Sequence, residues 1–123
     1  MKLRIGLLGF VAALLCSGMA NAATLRVVVV QTSEVAAYTK AVLADGQALL
    51  KKKGSAAQFR VWQATFAGED VGTVVVSVEY PNLEALAKDM AMLRSDPELL
   101  AWLEGLGKMR KVLSDSVYEE VKP

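Results

Sequence analysis

Histidine is absent from all 123 residues. With it go the serine and cysteine triads that depend on an imidazole, and the usual zinc centres. There is one cysteine, Cys16, which can close no disulfide within the chain. Neither sign of charge dominates: 14 Lys and Arg stand against 13 Asp and Glu. The basic face of a nucleic-acid binder is therefore not expected. Three prolines and nine glycines are spread thinly, with no internal repeat or low-complexity linker, so the length suits one domain. No Gly-rich phosphate loop occurs, because Gly105-Leu106-Gly107 lacks a further glycine and a preceding strand.

Apolar residues are abundant instead, at 54% of the chain, which argues against disorder. Part of that excess is MKLRIGLLGFVAALLCSGMANAA, residues 1–23. Lys2 and Arg4 make a positive head, Ile5 to Leu15 an apolar run, Ser17-Gly18 a break, and Ala20-Asn21-Ala22 a small-residue cleavage site. This is the pattern of a signal peptide over residues 1–22, cleaved after Ala22 or, alternatively, after Ala23. The strongly apolar core stops near Cys16, short of the roughly 20 residues of a spanning helix. Lipidation of Cys16 is disfavoured by Leu15, which stands where a small residue is required. The expectation is export to the periplasm or the extracellular space, with residues 23–123 as the mature domain and no stable membrane insertion. Removing Lys2 and Arg4 from the 14 basic residues leaves 12 against 13 acidic ones, a net charge of about −1. The mature chain has no thiol.

From Thr24 onward the pattern reads strand, helix, strand, strand, helix, strand. TLRVVVVQ (24–31) is nearly continuous β-branched sequence, expected as a strand buried on both sides. Ser33 is a candidate cap for a helix from Glu34 to Lys53, with an apolar stripe of Val35, Val42 and Leu49 beside Ala36, Leu43 and Leu50. Gly54 ends it, Lys51-Lys52-Lys53 complements its last turn, and Asp45-Gly46 weakens its middle. Residues 58–66 and 73–80 form a hairpin, and Pro81 stops its second strand. Asn82 caps a helix with Leu83, Leu86, Met90 and Leu93 on one face. Ser95 and Glu98 have the spacing of a capping box for a further stretch carrying Leu99, Trp102, Leu103 and Leu106. Residues 110–121 read as a last, more polar strand. This order folds most simply as an α+β, ferredoxin-like βαββαβ domain, a four-stranded antiparallel sheet with two helices on one face.

With the turn centred between Glu69 and Asp70, Phe59, Val61, Val76, Val78 and Tyr80 face the helices. The other face pairs Arg60 with Glu79, Trp62 with Ser77, Ala64 with Val75 and Phe66 with Thr73. Trp62, Phe66 and Val75 are too much apolar area to leave in water. A second copy of the chain, packed through the same face, is the expected cover.

The stretches FRVWQATFAGEDVGTVVVSVEYPNLEALAKDM and LRSDPELLAWLEGL resemble the dimeric α/β-barrel superfamily, especially NIPSNAP-like and antibiotic-biosynthesis-monooxygenase-like domains. The resemblance spans about residues 24–121 and implies a ferredoxin-like fold that dimerises through its sheets. It places any pocket between sheet and helices or inside the barrel. It carries fold rather than chemistry, because the superfamily includes haem enzymes, cofactor-free oxygenases and isomerases. The missing histidine removes the proximal ligand of its haem-binding members. Cofactor-free oxygenases of this type use asparagine, tryptophan and arginine, and Asn82 is assigned as a helix cap.

Arg60 opposite Glu79 is the one polar pair with chemical potential. In a dry barrel Glu79 could act as a base while Arg60 orients an anionic or carbonyl group and Trp62 stacks on a ring. Its structural reading is a cross-strand ion pair, with Trp62 as an interface anchor. The candidate catalytic residues are thus Glu79 and Arg60, and the candidate ligand-binding residues Trp62, Ser77 and Phe66. No metal or cofactor is expected: Glu69-Asp70 sits in a turn, Asp96 and Glu98 at a helix start, and Glu119-Glu120 alternate across a strand. The functional expectation is an exported, homodimeric, cofactor-free binding module for a small hydrophobic molecule. The alternative is a cofactor-independent oxygenase or isomerase acting on an aromatic or quinone-like substrate.

Overall fold

The computed structural model describes residues 23–65, 68 and 72–123. The expected signal peptide, Phe66, and the expected turn residues Glu69, Asp70 and Val71 lie outside that set. The elements are β1 (Thr24–Gln31), a helix α1 over 35–52, β2 (Gln58–Gln63), β3 (Val74–Tyr80), α2 (Leu83–Ser95), α3 (Pro97–Gly107) and β4 (Lys111–Glu119). All strand pairs are antiparallel, in the order β2-β3-β1-β4. The helices lie on one face, as expected for a ferredoxin-like α+β domain.

The β-branched run of β1 pairs with β3 on one side and β4 on the other. Val28 and Val30 are buried under the helices with Val74, Val76, Val78 and Tyr80. Each large apolar side chain so buried contributes about 1.5–3 kcal/mol. Leu25, Val27 and Val29, on the opposite face, stay partly exposed. Burial on both sides of β1 is thus not achieved among the described residues. Among the described residues no helix covers β4, and every residue of that strand except Ser116 is exposed.

The helix α1 departs from regular 3.6-residue geometry. Its α-helical ends, Val35–Lys40 and Gln47–Lys52, flank a π-helical stretch at Ala41–Gly46. The wider turns bring Tyr38, Val42, Gly46 and Leu50 onto the buried face at four-residue intervals. Leu43, expected in the stripe, is exposed. Ser33 caps nothing, because the N-cap is Glu34 and its amide donates to Thr32 Oγ1. Gly54, at φ 83°, ends the helix: its N–H donates to Lys51 and that of Ser55 to Leu50, closing a Schellman motif.

Asn82 caps α2 by accepting from the Ala85 N–H at 2.8 Å. Leu83 is exposed, whereas Asp89 is buried on that helix and accepts from the Ser55 hydroxyl. Ser95 does not form the expected capping box. Asp96 is the N-cap of α3, accepting from Glu98 and Leu99 N–H at 3.0 and 3.2 Å, and Pro97 occupies the first helical position. Lys53 ties the end of α1 to this cap, with Nζ 2.8 Å from Asp96 Oδ2.

Candidate functional site

The sheet and the helices frame a partly open cavity of about 60 Å³. Its floor is Arg26, Val28, Phe59, Val76, Val78 and Tyr80, its roof Val42, Leu50, Leu93, Trp102, Leu103 and Leu106, and Arg110 completes the lining. Strand alternation places Arg26 on the helix side of β1 with Val28 and Val30. An arginine amid this apolar lining is therefore a consequence of register.

The aromatic wall is held by local irregularities. Trp102 donates its indole N–H to the carbonyl of Ala41 at 2.9 Å, within the π-helical stretch. Gly46 sits directly beneath the ring, where a Cβ would lie 2.2 Å from Cζ2. Phe59 stacks on Trp102 with centroids 6.2 Å apart and planes 12° from parallel. Gln47 fixes the strand carrying Phe59: its side-chain amide donates to Ala57 O at 2.7 Å and accepts from the Phe59 N–H at 2.8 Å.

Two guanidinium groups border this wall, and they differ in how they are paired. Arg26 donates through Nε and Nη2 to both oxygens of Asp115, at 2.9 and 2.6 Å. That two-point bond holds the Asp115 carboxyl below the ordinary carboxylate value, against the opposing effect of burial. Arg110 donates from Nη1 to the Tyr38 hydroxyl at 2.8 Å, and its buried Nε–H has no acceptor among the described residues. Burial, and then the charge of the nearby Asp89, push the Tyr80 hydroxyl far above the ordinary phenol value, so Tyr80 is neutral. Outside the cavity, Arg110 also lines an open depression of about 490 Å³ with Lys108, Thr32 and Ser33.

The residues singled out from sequence lie elsewhere. Arg60, Trp62, Ser77 and Glu79 are on the open face of the sheet, and none lines the cavity. Phe66 is outside the described residues. The register of the hairpin differs from expectation by two: Arg60 lies opposite Ser77, Trp62 opposite Val75, and Phe59 opposite Val78. An even shift leaves every side chain on its expected face, so the contacts become diagonal. Arg60 Nε is 3.6 Å from Glu79 Oε1, and the Trp62 indole donates to Ser77 Oγ at 2.9 Å. The Trp62 ring covers Ser77 and is itself 53% exposed. Among the described residues, no three carboxylate, thiol or imidazole side chains gather as a metal-binding group, and no helix is long and apolar enough to cross a membrane.

Sequence reasoning passed over Arg26, Phe59, Tyr80 and Arg110 as site residues and treated Trp102 as packing. Only Arg26 carried a signal, a charge at a helix-facing position of an otherwise apolar strand. Arg110 reaches the cavity from the α3–β4 connection, which no local pattern anticipates.

The sequence matches no protein-family model and no curated protein. The structure superposes on a NIPSNAP family protein of unknown function from Agrobacterium tumefaciens with a TM-score of 0.62 at 15% identity, over 83% of this chain and 91% of that one. An uncharacterised NIPSNAP domain protein from Burkholderia xenovorans gives 0.58 at 14% identity, over 81% and 94%. The chain has a NIPSNAP-like fold. A conserved protein of unknown function from Bacteroides thetaiotaomicron, described as a possible oxidoreductase, shares it with a TM-score of 0.55 at 14% identity, over 80% and 99%. At such identities the NIPSNAP-like architecture is common ground and the chemistry is not.

Proposed function

We propose that this protein is an exported, homodimeric binding module that holds a small, largely hydrophobic molecule in the cavity between its sheet and its helices, without a cofactor. The observation that carries the reading is the cavity itself, a mostly apolar chamber whose aromatic wall is built by Phe59 and Trp102. Interiors close-pack by default, so a retained void bordered by a few polar groups is the mark of a binding site. Xenon NMR on the purified protein tests it. Shifts confined to the methyls of Val42, Leu50, Val76 and Leu106, and abolished by the cavity-filling Leu103→Phe, support the reading. No xenon uptake sinks it.

The homodimer is supported by the open face. Trp62, Val75, Leu25, Val27, Val29 and Tyr118 share that side and are all at least partly exposed. A second copy seated there would cover them. Export rests on residues 1–22, and N-terminal sequencing of the mature protein would report cleavage after Ala22 or Ala23.

A second reading, a cofactor-independent oxygenase or isomerase acting on an aromatic or quinone-like substrate, is favoured by the description of the Bacteroides thetaiotaomicron protein as a possible oxidoreductase. In that reading Glu79 is the base, Arg60 the orienting group and Trp62 the platform, all enclosed by the dimer. Glu79→Gln would then abolish turnover while leaving stability nearly unchanged.

A further inference from the structure

Arg110 is the feature of the cavity that apolar binding does not use. Its guanidinium bonds to the Tyr38 hydroxyl through Nη1 and lies 5.8 Å from the centre of the Tyr38 ring. Its Nε–H is buried without an acceptor among the described residues. Among the described residues it makes no ion pair, and Asp115, whose charge it feels, is already bound at both oxygens by Arg26. A buried, charged donor left without an acceptor is a costly arrangement that an incoming acceptor relieves.

We propose that the cavity takes a short-chain monocarboxylate, with its carboxylate on Arg110 and its alkyl part among Val42, Val76, Trp102 and Leu106. This rests on the reading of the cavity as a binding site and names its ligand class. The planar fork of a guanidinium matches a carboxylate, and the low dielectric of the chamber strengthens the bond. The volume sets the chain length: about 60 Å³ is less than half of the roughly 150 Å³ apolar cavity that takes benzene, room for only a few carbons.

The test is an NMR titration of the mature protein with butyrate and with 1-butanol, following the Arg110 Nε–H and the Trp102 indole N–H. Butyrate is expected to move both signals and to bind roughly ten- to a hundredfold more tightly than butanol, the worth of a charged hydrogen bond. Arg110→Gln is expected to erase the preference for acid over alcohol, and Arg110→Lys to keep part of it. Equal affinities for the two ligands in the unaltered protein would overturn the carboxylate assignment while leaving the apolar site standing. Failure of butyrate, butanol and xenon alike would remove both. Octanoate, binding more tightly than butyrate, would overturn the short-chain assignment in favour of the end of a longer fatty acid.

Discussion

The indole N–H of Trp102 donates to the carbonyl of Ala41 at 2.9 Å, across the packed faces of α3 and α1. A π-helical stretch shifts backbone pairing from four residues to five and widens the turn that the ring meets. Gly46 completes the arrangement by offering no Cβ where the ring descends. The irregularity of α1 and the aromatic wall of the cavity are therefore one feature.

Gly46→Ala and Gly105→Ala should move stability in opposite directions. Both glycines are helical, and alanine would add up to about 1 kcal/mol of helix propensity at either. At Gly46 the new Cβ meets Trp102 at 2.2 Å, and the ring is held by its hydrogen bond and by Phe59. Overpacking of this kind costs about 1–3 kcal/mol, and displacing the ring also loses its hydrogen bond, so a net loss of about 1 kcal/mol or more is expected. At Gly105 nothing lies within 4 Å, and a gain of about 0.5–1 kcal/mol is expected. Urea melts read both, and a shared sign would contradict the packing described.

Asp96 should matter where Ser95 does not. The Asp96 carboxylate accepts two backbone N–H groups of α3 and pairs with Lys53, whereas the Ser95 hydroxyl donates back to Ala91 O. Asn82→Ala, a simple cap loss, sets the scale at about 1 kcal/mol. Asp96→Ala is expected to destabilise more than Asn82→Ala, and Ser95→Ala to stay close to the unaltered protein. Thermal melts giving the reverse order for Ser95 and Asp96 would contradict the cap assignment.

The same pair shows what sequence could and could not reveal. Ser95 and Asp96 are both good caps, and the capping-box spacing favoured Ser95; Pro97 decides for Asp96, because proline fits the first helical position. In the hairpin, period-two alternation sorted Val74, Val76, Val78 and Tyr80 from Trp62, Ser77 and Glu79 correctly. Pairing was misjudged by two residues because the turn was centred one residue too late, and an even slip is invisible to the hydrophobic pattern. The stripe of α1 was misplaced at Leu43 because a 3.6-residue period cannot anticipate a π turn. The resemblance placed any pocket between sheet and helices or inside the barrel, but the lining of the cavity was not legible in the residue pattern, since it arises where three helices and three strands fail to fill the space between them.

Trp62→Glu should split the proposed dimer without unfolding the subunit. The ring is half exposed and its one hydrogen bond is to Ser77 within the same chain. Placing a carboxylate at the centre of a desolvated apolar interface removes an anchor typically worth 2 kcal/mol or more, roughly thirtyfold in the dissociation constant. Sedimentation velocity at micromolar concentration is expected to show dimer for the unaltered protein and monomer for the variant. Monomer for both would remove the proposed cover of the open face.

Stability should fall in acid through Asp115 in a way that Asp115→Asn reports. Hydrogen bonds from Arg26 hold the folded carboxyl below its ordinary value of 3.8, while in the unfolded chain it titrates near that value. Above that value both states are ionised and the whole contribution of the pair is present. As pH falls through it, the unfolded chain takes up the proton first, and the contribution is lost until the lower folded value is passed. The asparagine variant has no such proton to bind. Urea midpoints of the two proteins should therefore differ by a constant amount from neutral pH to about 5, with the gap closing below about 4. A gap that persists undiminished in stronger acid would mean that the Arg26 pair contributes nothing through charge.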